Sequence, residues 1–265
     1  MPSLKDVVFS PDSRVLTAHT TSQTADGYGP GQLLRWDART GRLKRQIAGK
    51  DLALIGFVTG GTRLLTTNEP TGTVVLRDAV TLRPLRRFPV AGGARASTVS
   101  PDGRLAALGA ADGSVRLLDL RSGKVRTASG RHDAPVRAAR FTPDGRTLVT
   151  VGEDEDARVM LWNVAEASAS ETLEGHAGLI LDVAVSPDSK TAYTAGVDGS
   201  VLAWDLGGTR RLGRPFNAAP VAPGGRVSAT TPDDGNLPPS VIAATPDGST
   251  FAIPGATATS ISTTA

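Results

Sequence analysis

The sequence contains no cysteine, which excludes disulfides, thiolate nucleophiles and Cys-ligated zinc or iron–sulfur centres. It has only three histidines, and no two stand at the spacing of a metal-ligating pair, so no transition-metal site is expected. No apolar run approaches the roughly 20 residues needed to cross a bilayer as a helix, so no membrane partner is expected. Residues Met1 to Phe9 lack the basic-then-apolar pattern of a secretory signal. Nothing sustains a helical apolar period, which predicts almost no helix. Aromatic residues make up 4% of the chain, and Gly-rich phosphate-cradling motifs are missing, since Gly109-Ala110-Ala111-Asp112-Gly113 reads as a hairpin turn.

What is present is 265 residues and 27.3 kDa, enough for one large domain or two small ones. At 39% hydrophobic and 21% charged, the chain has the material for a core, which excludes a disordered chain. Arginine (24) far outnumbers lysine (5), and with abundant Ala, Gly and Thr this points to a GC-rich bacterial genome; a cytoplasmic location is the accompanying expectation. The net charge of +3 is unevenly spread: residues 1–130 carry a net +9 and residues 131–265 a net −6. Such an asymmetry orients a charged partner or is ordinary solvated surface.

The chain repeats itself. Ser/Thr-Pro-Asp occurs at Ser10, Ser100, Thr142, Ser186 and Thr245 between apolar runs, and a sixth copy, Thr231-Pro232-Asp233, falls in a loop-like stretch and is read as accidental. A further marker, Trp-Asp or a variant, follows at Trp36-Asp37, Arg77-Asp78, Leu118-Asp119, Trp162-Asn163 and Trp204-Asp205, at spacings of 41, 41, 44 and 42 residues. A degenerate stretch, Phe57 to Thr66, fills the gap between the first two Pro-Asp copies. Each unit reads as four short strands. Pro-Asp-Gly or Pro-Asp-Ser makes the first turn, because Pro fixes φ, Asp bonds its own backbone and Gly accepts positive φ. Asp112-Gly113 and Asp198-Gly199 make the next.

A period of 40–45 residues with Gly-His near the start and Trp-Asp near the end resembles the WD40 β-propeller family, most closely over Gly175-His176 to Trp204-Asp205. The resemblance implies an all-β fold of four-stranded antiparallel blades, each unable to bury both faces alone. Five blades are expected at about 4–47, 52–88, 94–128, 135–173 and 179–216, with a partial sixth at 240–262. In domain terms, residues 1–216 are propeller blades, 217–239 a Pro/Gly-rich loop or linker, and 240–265 the partial blade and tail. It also implies a structural network of His176, Asp198, Thr194 and Trp204. In the preceding blade the counterpart is His132, Thr150 and Trp162 with either Asp154 or Asp156. Blades one to three lack the full set and are expected to be held by packing alone.

The remaining expectations concern function. The acidic run Glu153-Asp154-Glu155-Asp156 is read as a solvated turn or an attractor of basic peptides. Arg83, Arg86 and Arg87 are read as charges at an outer strand edge, and nucleic acid is not an expected partner because no aromatics are interleaved with a basic patch. The family resemblance implies a rigid, non-catalytic platform, monomeric and without cofactor, that binds a protein or peptide. The expected contact residues are Tyr28, Glu69, Arg95, Arg131, Asp133, Glu153, Glu155 and Asp156. Two other readings stand beside it. One is a sensor module split from a larger NTPase, kinase or transcription-regulator chain. The other is a propeller hydrolase with a channel-bound metal, for which Asp182 is the one clear acid in a first strand.

Overall fold

The structure is a computed structural model that describes residues 2–24, 27–28, 31–49, 53–58, 60–68, 72–153, 156–207, 216–217, 243–244 and 251–252. Every regular element among them is a β-strand. The chain divides into two compact units, residues 1–111 with 116–126, and residues 112–115 with 127–265.

In the first unit, β1 (Pro2–Phe9), β2 (Val15–Thr24), β4 (Gly31–Asp37) and β5 (Leu43–Gly49) form an antiparallel sheet, with a short β3 (Gly27–Tyr28) added on β2. The second sheet is β6 (Ala53–Val58), β7 (Arg63–Asn68), β8 (Thr73–Asp78) and β9 (Pro84–Pro89). A third module begins with β10 (Ala96–Val99), β11 (Leu105–Gly109) and β12 (Ser114–Asp119). The boundary between the units passes through it, and β13 (Val125–Arg131) ends it.

The second unit holds β14 (Val136–Phe141), β15 (Thr147–Gly152), β16 (Arg158–Asn163) and β17 (Ser168–Glu174), paired in that order and antiparallel. It continues with β18 (Ile180–Val185), β19 (Thr191–Gly196), β20 (Ser200–Asp205) and a two-residue β21 (Phe216–Asn217). Another small hairpin joins β22 (Ala243–Ala244) to β23 (Phe251–Ala252). Apart from those short strands, the expected segments 217–239 and 240–265 lie outside the described residues.

The inner strands are apolar on both faces where neighbouring sheets cover them, while the outer strands β5, β9 and β17 are largely exposed. In β7, Leu64 and Leu65 are fully buried on opposite faces. Leu64 joins Leu33, Ala79 and Leu82 in one core, while Leu65 joins Val74, Leu76, Leu108 and Leu118 in another. In the second unit, Val149, Val151 and Leu161 pack with Ile180, Val183 and Trp204. Each such aliphatic side chain contributes about 1.5–3 kcal/mol on burial, and no sheet gains this alone.

The Ser/Thr-Pro-Asp signature is a hydrogen-bonded staple. Ser100 Oγ donates to Asp102 Oδ1 (2.6 Å) and accepts from the Leu105 N–H (2.9 Å), while Asp102 Oδ1 also accepts from the Arg104 N–H (3.0 Å). The same three bonds recur at Ser10, Thr142 and Ser186. The Asp of the Trp-Asp marker closes the next turn: Asp37, Asp78 and Asp119 each accept backbone N–H groups two to three residues ahead.

One pairing departs from separate antiparallel blades. Ser129 of β13 lies parallel to Ser168 of β17, and the Ser129 N–H donates to the Ala167 carbonyl (2.9 Å). Gly130 makes this possible. Its φ is +105°, and a Cβ there would lie 2.8 Å from the Ala169 Cβ and 3.6 Å from the Trp162 ring.

Candidate functional site

The structure brings the histidines, threonines, tryptophans and aspartates of the last two full modules together. His176 Nδ1 is 3.0 Å from Asp198 Oδ2 and its Nε2 is 2.8 Å from Thr194 Oγ1, which accepts the Trp204 indole N–H at 2.7 Å. In the module before, His132 Nδ1 is 2.9 Å from Asp156 Oδ2, its Nε2 is 2.7 Å from Thr150 Oγ1, and the Trp162 indole donates to the same hydroxyl at 2.7 Å. Donor counting assigns the protons: indole N–H to threonine oxygen, threonine O–H to Nε2, and Nδ1–H to carboxylate. Thr150 and Thr194 are fully buried. The hydroxyl-to-imidazole-to-carboxylate order is that of a hydrolase triad, but both hydroxyls are fully buried and each also holds an indole N–H, so no substrate carbonyl can reach them.

Of the two aspartates weighed for the fourth module, the structure uses Asp156. This corrects its reading as a solvent-facing contact residue. Its carboxylate is 2% exposed and also accepts from the Asp133 N–H (3.3 Å) and Arg158 Nε (2.7 Å). Burial alone would raise its pKa, but hydrogen bonds from Arg158 and His132 outweigh that and hold it below the usual carboxylate value. Burial pushes the His132 imidazole below its ordinary value, against the pull of Asp156, so the ring is neutral.

The other expected contact residues fall in both units. Arg131 is exposed at the end of β13, and the exposed Asp133 carboxylate meets Arg158 at 2.6 Å. Glu153 is half-buried, its N–H bonded to the Pro135 carbonyl (2.7 Å). Arg95 is exposed, and its N–H bonds to the Gly109 carbonyl (2.7 Å). The Tyr28 backbone lies in β3. Glu69, Asp154 and Glu155 lie outside the described residues. Asp182 is buried, 3.4 Å from Arg140, and accepts its neighbour Val183's N–H. No group of three or more His, Asp or Glu among the described residues is arranged to hold a metal ion.

Two further corrections concern arginines. The second module is not held by packing alone. Arg77 stands in the tryptophan register of the Trp-Asp marker, buried, and its Nε donates to Thr66 Oγ1 at 3.0 Å while Nη1 donates to the Leu82 carbonyl at 3.1 Å. A guanidinium there reproduces the indole-to-threonine bond, and burial lowers its pKa. Arg86 is not simply a charge at a strand edge. It lies 4.6 Å over the Phe88 ring and donates to the carbonyls of Leu120, Arg121 and Ser122.

An acid-stability prediction follows from the carboxylates and His132. Burial raises the Asp198 pKa, but N–H donors from Ala177 and Ser200, the Ser200 hydroxyl and His176 hold it down at about 2 against an ordinary 3.8. A group whose native pKa is depressed stabilises the fold above its unfolded pKa and stops doing so as pH falls through the native one. For Asp198 the loss spans pH 3.8 to about 2. For His132 it begins just below about 6.5. Urea denaturation across pH is expected to show constant stability above about pH 7, a first decline below about 6.5 and a second below about 4. A rise in stability from pH 7 to pH 5 would contradict this assignment.

Comparison with known proteins agrees with this geometry. The family model described as "WD domain, G-beta repeat" matches residues 123–163 and 168–205. Those two stretches read as WD40 repeats. The chain is 27% identical over 205 residues to Apoptotic protease-activating factor 1 from Danio rerio, covering 76% of this chain and 15% of that protein. It is 37% identical over 75 residues to Small ribosomal subunit protein RACK1y from Oryza sativa subsp. japonica, covering 28% of this chain and 22% of that protein. The chain thus spans under a quarter of the length of either relative. A chain of "Crystal Structure of Mitotic Checkpoint Complex" superposes with TM-score 0.74 at 18% identity, over 95% of this chain and 71% of that one. The fold is therefore all-β and WD40-propeller-like, and the WD40 family is supported by both the repeat match and the relatives. WD40 propellers are generally non-catalytic and bind protein partners.

Proposed function

We propose that this WD40-repeat chain is a non-catalytic platform of five blades and a partial sixth, monomeric and cofactor-free in a bacterial cytoplasm. It would bind a protein or peptide partner, rather than nucleic acid, through loop residues that include Arg95, Arg131, Asp133 and Glu153. One observation carries this reading. The His–Thr–Asp groupings that imitate a hydrolase triad have fully buried hydroxyls, each also bonded to a buried indole, so they hold strands together away from any substrate. Chemical cross-linking in a lysate of the source organism, read by mass spectrometry, tests it. Cross-links to one protein should concentrate on these loops and disappear in the Arg131→Glu/Asp133→Arg variant, which should remain folded although the Asp133–Arg158 ion pair is lost. Cross-links that survive that double reversal would remove those loops from the contact surface.

A second reading, a sensor module within a longer regulatory chain, draws support from the match to only 15% of a much longer relative. Reading the genomic frame upstream of Met1 tests it: a continuing domain supports the module, and a stop codon in frame removes it.

A further inference from the structure

The second unit has an open cleft of about 750 Å³ at the loop ends of its two full modules. Small residues make the room. Ala134 and Ala157 line it, and so does Gly175, whose bareness serves the core instead: a Cβ there would sit only 3.1 Å from the Trp204 ring and 3.2 Å from Leu202. Its one Arg or Lys among the described residues is already committed: Arg158 spans from Asp156 Oδ1 (2.7 Å) to Asp133 Oδ2 (2.6 Å). Two carboxylates still face solvent, Asp133 with a side chain 77% exposed and Glu174, which lies directly opposite Arg158 in the β16–β17 register. The floor is stiff, because Asp156 and His176 belong to the two buried networks and cannot swing out to neutralise a ligand.

We propose that this cleft takes the basic side chain, lysine or arginine, of a protein partner. The cavity supplies space, the three carboxylates of Asp133, Asp156 and Glu174 outnumber the single guanidinium of Arg158, and the anchored floor removes the cost of ordering the site on binding. The partner segment carries an apolar side chain next to the basic one. The loop 175–179 begins with the lining residues Gly175 and His176 and ends at Leu179, whose carbonyl accepts the N–H of the 48% exposed Val197 (2.9 Å). The proposal rests on the platform reading and names the chemistry that the platform recognises.

The test uses isotope-labelled full-length chain at low salt, titrated with acetyl-Gly-Arg-Leu-Gly-amide, its lysine analogue and its glutamate analogue, followed by amide NMR shifts. The arginine and lysine peptides should move the Ala134, Ala157 and Gly175 amides saturably, and the glutamate peptide should not. Glu174→Gln should weaken binding about fivefold with an otherwise unchanged spectrum. No movement of these amides, equal movement with the glutamate peptide, or undiminished binding by Glu174→Gln would each overturn the cleft. The readout is local and uses synthetic peptides. Failure here therefore leaves the cross-linking result untouched, and failure of cross-linking to find a partner leaves this one untouched.

Discussion

Asp156→Asn is expected to lower the unfolding free energy by about 2–4 kcal/mol. The wild-type carboxylate, 2% exposed, accepts from His132, from the Asp133 N–H and from Arg158 through its two oxygens. An asparagine has one oxygen, so its amide N–H₂ must face a donor that was previously satisfied. The loss stays below the roughly 3–5 kcal/mol of a fully enclosed ion pair, because Arg158 keeps Asp133 as a counter-ion and is itself 29% exposed. Asp133→Asn is the control. Its carboxylate is exposed, so breaking its ion pair should cost no more than about 1 kcal/mol. Chemical denaturation of the two variants separates the roles. If they are equally destabilised, Asp156 is a surface acid after all and the buried network is not what holds the fourth module.

The repeat was legible because its markers are short and local. Pro-Asp-Gly encodes a turn within four residues, and the period of the Trp-Asp marker located the third strands without any tertiary knowledge. The resemblance to the WD40 family also implied His176, Asp198, Thr194 and Trp204 as one set, and the ordinary length of the Asp198-Gly199 turn left its aspartate unambiguous. What was not legible depends on contacts distant in sequence. The two additional residues in the turn after β15 left Asp154 and Asp156 equivalent on paper, and only packing against His132 and Arg158 chooses between them. Arg86 looked like edge charge because its carbonyl partners lie 34 to 36 residues away. Arg77 did leave a signal. It stands immediately before Asp78, where other modules have tryptophan, and Thr66 stands where they have Thr150 and Thr194. A charged residue in a tryptophan register invites the surface reading, although a guanidinium N–H and an indole N–H satisfy the same hydroxyl.

Thr194→Val is the sharpest test of that shared logic, with an expected loss of about 2–4 kcal/mol. Valine matches threonine in size, so no cavity opens and the effect isolates the hydroxyl. Without it, the Trp204 indole N–H, 1% exposed, has no acceptor, and His176 Nε2 loses its donor. An orphaned buried donor costs about 1–3 kcal/mol, more than the net worth of the bond it made. Removing the donor as well should recover part of the loss. Trp204→Phe in the Thr194→Val background is therefore expected to cost less than the two single changes added together, with a coupling of about 1 kcal/mol or more. The third module shows why an apolar solution is open to this fold. At the registers of Thr194 and Trp204 it carries Leu108 and Leu118, both fully buried in one core with no polar atom to satisfy. Strictly additive single and double variants would mean that the indole and the hydroxyl act independently. The tryptophan would then contribute only by filling space, as Leu118 does.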